Sequence, residues 1–331
     1  MFEPKLCSEH IDRITGCLEP YDNVYFYTAD PGATSALMPF FRRAKELSKF
    51  RNWYVDGWAC SVSLEQQQPI SKHILSSSAC GKTAVFMGQQ VDFSRAFDRL
   101  QAFKNAGFHT HFVSDHWKDI SLSFKPKEKG DFLFPDRFYV PDTEAFERQL
   151  KWLQQRGIPD EVVKSSMVAF FHPGVEASLS IISEFSAVQC QKLRDRYSVA
   201  TKCLVTMMLD CTTPEEEVNY GFGWRSSLIS AIQHFTECYE DTTLLVKPHP
   251  RQRRVEVLDV VMKASNPKIM VVEENAPEQF VAASDEIWGA TTVLLVVARK
   301  AGKRIKVFMP NRTSKGELES NIHIEPYIVD I

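Results

Sequence analysis

Short apolar runs that stop abruptly at a polar, glycine or proline turn, each followed by a longer amphipathic stretch, constrain this chain most. In the second half such runs cover 202–207, 242–246, 269–272, 285–288 and 304–308. Between them, 224–239, 255–264, 277–283 and 293–301 read as helices, the last stopped by Gly302. The first half carries runs at 24–28, 83–87, 109–113 and 136–140. Helical stretches follow at about 34–48, 92–106 and 143–156, with Asp92 as N-cap and Gly107 and Gly157 as stops. Thr28 or Thr34 is expected to cap the first of these, and Pro39 weakens it. Alternating apolar strands and helices predict an α/β chain with mostly parallel sheets covered on both faces. With 331 residues the chain is long for one core and suits two. The junction is expected within 158–176, giving two Rossmann-like doubly wound domains, 1–167 and 168–331, facing a cleft.

Charge and composition exclude several classes. The formal net charge is −3 and the isoelectric point about 6.3, without the basic excess of a nucleic-acid binder. No stretch approaches the roughly 18 apolar residues of a membrane span. Residues 1–20 hold scattered charges and no apolar core of a secretory signal, so a cytoplasmic protein is expected. The eight cysteines (Cys7, Cys17, Cys60, Cys80, Cys190, Cys203, Cys211 and Cys238) contain no CxxC pair and read as buried reduced thiols. His109 and His111 alternate on one strand face and read as core contacts, since two histidines do not complete a metal site. No metal is expected. Gly81-Lys82-Thr83 imitates the end of a phosphate loop but leads into a strand instead of a helix.

In open parallel sheets, ligands bind outside the carboxyl ends of the strands, so the residues just past each strand carry the chemistry. Lys247-Pro248-His249-Pro250-Arg251 is a stiff turn presenting three nitrogen cations or donors, with Arg253 and Arg254 beyond. Trp288-Gly289-Ala290-Thr291-Thr292 runs from a strand into an apolar helix, where exposed amides and the helix dipole favour an anion. In the first half, Asp30-Pro31-Gly32 and Ser114-Asp115-His116-Trp117 follow strands. Asp30, Asp115 and His116 are the candidate general bases for a hydroxyl nucleophile, with Pro31 and Gly32 on the acceptor side. Trp117 and Trp288 are read either as packing residues or as platforms for a base or sugar.

The run from Lys247-Pro-His-Pro to Gly289-Ala-Thr-Thr-Val-Leu-Leu resembles the C-terminal domain of glycosyltransferase-B proteins. It is most similar to polysialyltransferase-like and capsule transferase-like sequences and to a related nucleotide-sugar 2-epimerase-like group. The resemblance implies that His249, Thr291 and Thr292 hold the donor phosphates, with Lys247, Arg251 and Gly289 beside them. It implies a transferase that needs no cofactor and moves a sugar, sialic-acid-like or otherwise acidic, from a CMP- or UDP-linked donor in surface glycan synthesis. The acceptor is then a glycan or a lipid-linked hydroxyl, reached in the cytoplasm or at the inner face of the membrane. Phe40-Phe41-Arg42-Arg43 is read first as a buried helix face with exposed arginines and second as a candidate for peripheral membrane contact. Relatives that bind uridine sugars carry a ribose-gripping glutamate soon after the hydroxyl pair; here Val296 stands near that place, which favours cytidine or a non-catalytic binding protein. An epimerase or hydrolase is the other alternative, with Asp30, Asp115 and Glu176 as its carboxylates.

Overall fold

The computed structural model describes residues 6–56, 67–69, 81–89, 92–117, 121–124, 132–274, 276–313 and 323–329. The chain divides into two compact units, Leu6–Ala177 and a second beginning at Ser178.

The first unit runs α1 (Ser8–Leu18), β1 (Asn23–Thr28), α2 (Pro31–Glu46), β2 (Phe50–Val55), β3 (Gln67–Pro69), β4 (Thr83–Gly88), α3 (Phe93–Asn105), β5 (His109–Val113), β6 (Arg137–Val140), α4 (Thr143–Gln155), α5 (Asp160–Ser166) and β7 (Met167–Ala169), then enters α6 (Pro173–Ser183). Its seven strands are ordered β3-β2-β1-β4-β5-β6-β7, every pair parallel. Asp92 and Asp142 cap α3 and α4 by accepting the amides of Arg95 and Ala145. Gly107 and Gly157, at φ of 82° and 80°, supply the left-handed turns that end these helices. α2 continues through Pro39 because Leu37 and Phe40 on its inner face are fully buried, and packing outweighs propensity. Asp30 takes its N-cap position, while Thr34 returns its amide to the Asp30 carbonyl, so neither expected threonine is the cap.

The junction lies ten residues later than the sequence suggested. Val168 belongs to β7, the outer strand of the first sheet on β6, so the strand placed in the second domain completes the first. The segment 40–43 lies on a packed helix face with Arg42 exposed, the alternative favoured from the sequence over membrane contact. Phe40 is buried and Phe41 packs on Phe50 and Trp53, while Arg43 bonds Thr15 and Glu46. Among the described residues no helix is long and apolar enough to cross a membrane.

His109 and His111 do face one side. Tyr21 Oη lies 2.8 Å from His109 Nδ1 and 2.9 Å from His111 Nε2, and His111 Nδ1 lies 2.9 Å from Tyr139 Oη. Burial depresses both imidazole pKa values and raises that of Tyr21 to about 12, so the chain is neutral and joins β1, β5 and β6 from within. Gly81 and Lys82 precede β4 without a helix, as expected.

The second unit continues with α7 (Ala187–Arg196), β8 (Cys203–Met208), α8 (Pro214–Tyr220), α9 (Trp224–Cys238), β9 (Thr242–Lys247), α10 (Arg254–Lys263), β10 (Ile269–Val271), α11 (Pro277–Ala283), β11 (Glu286–Gly289), α12 (Val293–Lys300) and β12 (Arg304–Val307). Its parallel strands are ordered β10-β9-β8-β11-β12. β9 and β11 are buried along their whole length, as a sheet covered on both faces requires. Trp288 is 0 % exposed, with Tyr239 and Phe308 ring centroids 5.3 and 5.0 Å away, so it is core and not a ligand platform. Trp117 likewise stacks on His172 and donates Nε1–H to Asp142 at 2.6 Å. The thiols differ from expectation. Cys7 and Cys238 are exposed and Cys17, Cys190, Cys203 and Cys211 half-buried, all free; Cys60 and Cys80 lie outside the described residues.

Candidate functional site

Each sheet has one place where the strand order reverses. In the second it falls between β8 and β11, because β8 leads outward to β9 and β10 and the chain then returns to β11 on the other flank. Loops leaving adjacent strands diverge there and leave room for a ligand. The basic turn and the threonine helix start both lie at this end of the sheet.

Gly289 lets them come close. A Cβ built on it would stand 3.1 Å from the Met208 carbonyl and 2.9 Å from Thr292 Cγ2, so a side chain would push the end of β8 away from α12. On the other flank, the Leu209 amide donates to the Lys247 carbonyl at 3.0 Å. Lys247 is buried, its ammonium donating to the Pro248 carbonyl at 2.8 Å, and burial lowers its pKa. His249 is held at both ends. Its amide donates to Gln252 Oε1 at 2.7 Å and its Nδ1 accepts the Arg251 amide at 3.2 Å. The neutral ring therefore carries its proton on Nε2, the nitrogen left to donate to a ligand. Burial, with Arg251 and Lys247 as neighbouring cations, pushes the His249 pKa down to about 4. Arg251 is exposed. Arg253 and Arg254 are turned to Glu256 and Glu273, at 3.3 and 2.7 Å.

Two residues that sequence reasoning missed complete the arrangement. Asp210, two residues past β8, accepts the Thr291 amide at 2.7 Å and the Thr291 hydroxyl at 3.1 Å on one carboxylate oxygen. Its carbonyl accepts Gln252 Nε2 at 2.8 Å, and Gln252 in turn holds the His249 amide. Asp210 thus joins the three loops past β8, β9 and β11. Its signal was its position past a strand end; without glycine or a basic cluster it did not stand out. Thr292 is the N-cap of α12, its hydroxyl accepting the Leu294 amide. Val296 is 1 % exposed within the core face of α12, so that position does not present a side chain to a ribose.

In the first sheet the reversal falls between β1 and β4. Asp30 and Gly32 sit past β1, and Asp115 and His116 past β5, with β4 between the two strands. The structure brings Gly32 and Asp115 together: a Cβ on Gly32 would stand 2.9 Å from Asp115 Oδ2. The buried Asp115 carboxylate therefore lies against the first turn of α2, where the helix dipole favours negative charge. Its carbonyl accepts Nε2–H of the buried His172, whose Nδ1 accepts the Val175 amide; burial keeps that ring neutral. Asp30 and His116 are half-buried, Pro31 opens α2, and Glu176 lies in the first turn of α6.

The His249 shift has a consequence in solution. A histidine depressed from 6.5 to about 4 contributes stability above pH 6.5 that is lost as pH falls through 4, because the unfolded chain takes the proton first. Wild type is expected to lose melting temperature relative to His249→Gln across that window. Parallel acid profiles for the two proteins would show that the ring is solvated.

No protein-family model and no curated protein matches the sequence. Solved structures do. HepE of Anabaena in complex with UDP is 10% identical at a TM-score of 0.58, over 86% of this chain and 80% of that one. UDP-GlcNAc 2-epimerase from Neisseria meningitidis bound to UDP-GlcNAc is 10% identical at 0.61, over 86% and 82%. A glycosyltransferase from Rickettsia africae is 11% identical at 0.54, over 86% and 79%. Likeness across most of the chain, together with two parallel α/β sheets in separate units, shows that this protein has the glycosyltransferase-B fold, in which transferases and nucleotide-sugar epimerases both occur.

Proposed function

We propose that this chain is a glycosyltransferase that takes a sugar from a nucleotide donor and passes it to a hydroxyl acceptor. The observation that carries the reading is the convergence of Lys247, His249 and the start of α12 at the strand-order reversal of the second sheet, laced together by Asp210 and Gln252. Proteins of the same fold that hold UDP or UDP-GlcNAc support it. The Nε2–H of His249 and the Lys247 and Arg251 cations stabilise the leaving phosphate electrostatically, the role a divalent metal plays elsewhere, and no cofactor is needed. Gly289, Thr291 and Thr292 shape the helix start beside it. The candidate bases are Asp115, ranked ahead of Asp30 and His116, with Pro31-Gly32 as the acceptor-side residues. An acidic sugar and a glycan or lipid-linked acceptor follow from the sequence resemblance.

A second reading, an epimerase or hydrolase, draws on the likeness to UDP-GlcNAc 2-epimerase and on Asp30 and Asp115 sharing one end of the first sheet. Turnover of nucleotide sugar without any acceptor separates it from transfer.

Thermal-shift binding with cytidine and uridine mono- and diphosphates, with and without added metal, tests the donor site. A ligand at a hundred times its Kd stabilises by about 2.7 kcal/mol, a shift of several degrees. The shift is expected in wild type without metal and absent in His249→Ala. No shift with any nucleotide at millimolar concentration removes the reading.

A further inference from the structure

We infer that the first unit carries a second anion site, at the amino ends of its strands, which takes the phosphate of a small phosphorylated metabolite. It is separate from the nucleotide reading above and does not depend on it.

The strands of the first sheet are all parallel, so they begin at one end, and the candidate bases Asp30, Asp115 and His116 follow strands at the other. At the beginning end a cavity of about 570 Å³ opens beside the starts of β1, β4 and β5. Sites for small molecules commonly measure about 300–1,000 Å³. The polar lining includes Tyr21, Lys82, Lys104, His109 and Asp136. Lys82 belongs to the Gly81-Lys82-Thr83 run, which forms no phosphate loop because β4, and not a helix, follows it. Its backbone is nevertheless fixed. The Lys82 amide donates to Asp22 Oδ2 at 3.3 Å and its carbonyl accepts the Asp22 amide at 2.8 Å, with Gly81 in the left-handed region at a φ of 69°.

Lys104, in the last turn of α3, donates to Asp136 Oδ1 at 2.8 Å. Asp136 Oδ2 accepts the Thr110 amide and hydroxyl at 2.7 and 2.8 Å. The lining therefore sets two ammonium groups against one carboxylate whose oxygens are already engaged. Asp22 and Arg137 stand close by with opposite charges, so a positive excess remains at the cavity.

The hydrogen-bonded chain inside the sheet supplies a third donor. His109 Nδ1 is committed to Tyr21 Oη at 2.8 Å, and Nε2 is the ring nitrogen left for the cavity. The neutral chain can run in two directions. An anion at His109 Nε2 selects the one in which that nitrogen carries the proton. Tyr21 then donates to His109 Nδ1, His111 Nε2–H donates to Tyr21 Oη, and Tyr139 donates to His111 Nδ1. Tyr21 and His111 each give one proton and take one, so the buried groups stay satisfied while His109 faces the ligand as a donor. An imidazole on β5, an ammonium on α3 and another before β4 approach from three elements. Such a set suits the several oxygens of a tetrahedral phosphate better than a planar carboxylate.

Calorimetry with glycerol 3-phosphate and with acetate tests this at about pH 7.5, where the phosphate is mostly dianionic. The proteins are wild type, His249→Ala, Lys82→Glu and Lys82→Gln. Lys82 is exposed, so neither substitution disturbs a packed residue. Glycerol 3-phosphate is expected to bind wild type and His249→Ala alike, and Lys82→Glu at least about tenfold more weakly, with Lys82→Gln between. Acetate is expected to bind at least about tenfold more weakly than glycerol 3-phosphate. The imidazole of His109, neutral when unliganded because burial depresses its pKa, is followed by nuclear magnetic resonance. Its titration midpoint is expected to rise by about one pH unit when the phosphate is bound, a change that a purely structural histidine would not show. Binding that His249→Ala abolishes and Lys82→Glu leaves unchanged overturns the inference and places the phosphate in the nucleotide site. Absence of binding at millimolar concentration, or a His109 resonance indifferent to the phosphate, overturns it as well. Acetate that binds as tightly as glycerol 3-phosphate overturns the assignment of the ligand as a phosphate.

Discussion

Asp115→Asn is expected to lower kcat for sugar transfer by about 10²- to 10⁴-fold, with nucleotide affinity unchanged. The carboxylate is placed for proton removal by several independent features. It stands past β5, one strand beyond the strand-order reversal of the first sheet, buried, against Gly32 in the first turn of α2. His172 grips its carbonyl, and the doubly bonded imidazole cannot turn without losing the Val175 amide. Fixed geometry is what a general base needs, because proton transfer demands hydrogen-bond distance in the transition state. Asp30→Asn and His116→Gln are expected to stay within about tenfold of wild type. An Asp115→Asn enzyme retaining more than about a tenth of wild-type kcat would move the base to one of those two. A fall in melting temperature that accounts for the lost activity would instead make Asp115 a partner of the α2 dipole alone.

The largest effect on stability is expected at Trp288. Trp288→Ala should destabilise the second unit by about 3–5 kcal/mol, a large share of the 5–15 kcal/mol typical of a folded domain. The ring is fully buried among His234, Tyr239 and Phe308. Its indole N–H finds no hydrogen-bond acceptor among the described residues. Trp288→Phe removes that unsatisfied donor while keeping most of the ring, so it should cost much less than alanine. Guanidinium unfolding of the three proteins measures this. A loss below about 1 kcal/mol for alanine would show that the ring is not core and would return it to the candidates for stacking on a base.

Much of the second unit is legible in the amino-acid sequence. Its strands and main helices fall where the apolar runs and their polar stops put them, within a residue or two. Each element there announces itself locally: β9 is apolar until Lys247 and then meets two prolines, and β11 ends on a glycine before a threonine cap. The first unit is less legible. α1 and β2 carry no comparable signal, because β2 opens on Phe50-Arg51-Asn52 and becomes a strand by pairing with β1. β7, three residues long, has no signal apart from its partner β6.

The functional residues divide the same way. Sequence alone determined which side chains stand past strand ends, since a strand's end is written in neighbouring residues, and so it named His249, Thr291 and Asp115. It also determined the alternation that makes the fold two parallel sheets. Only the tertiary structure decided which of those side chains are presented and which are occupied. Trp288 and Val296 turned inward, Arg253 and Arg254 went to glutamates, and Asp210 reached across 81 residues to the donors of Thr291. Burial and hydrogen-bond partners arise between segments distant in the chain. No local pattern records them, because they come into being when the strands are laid side by side.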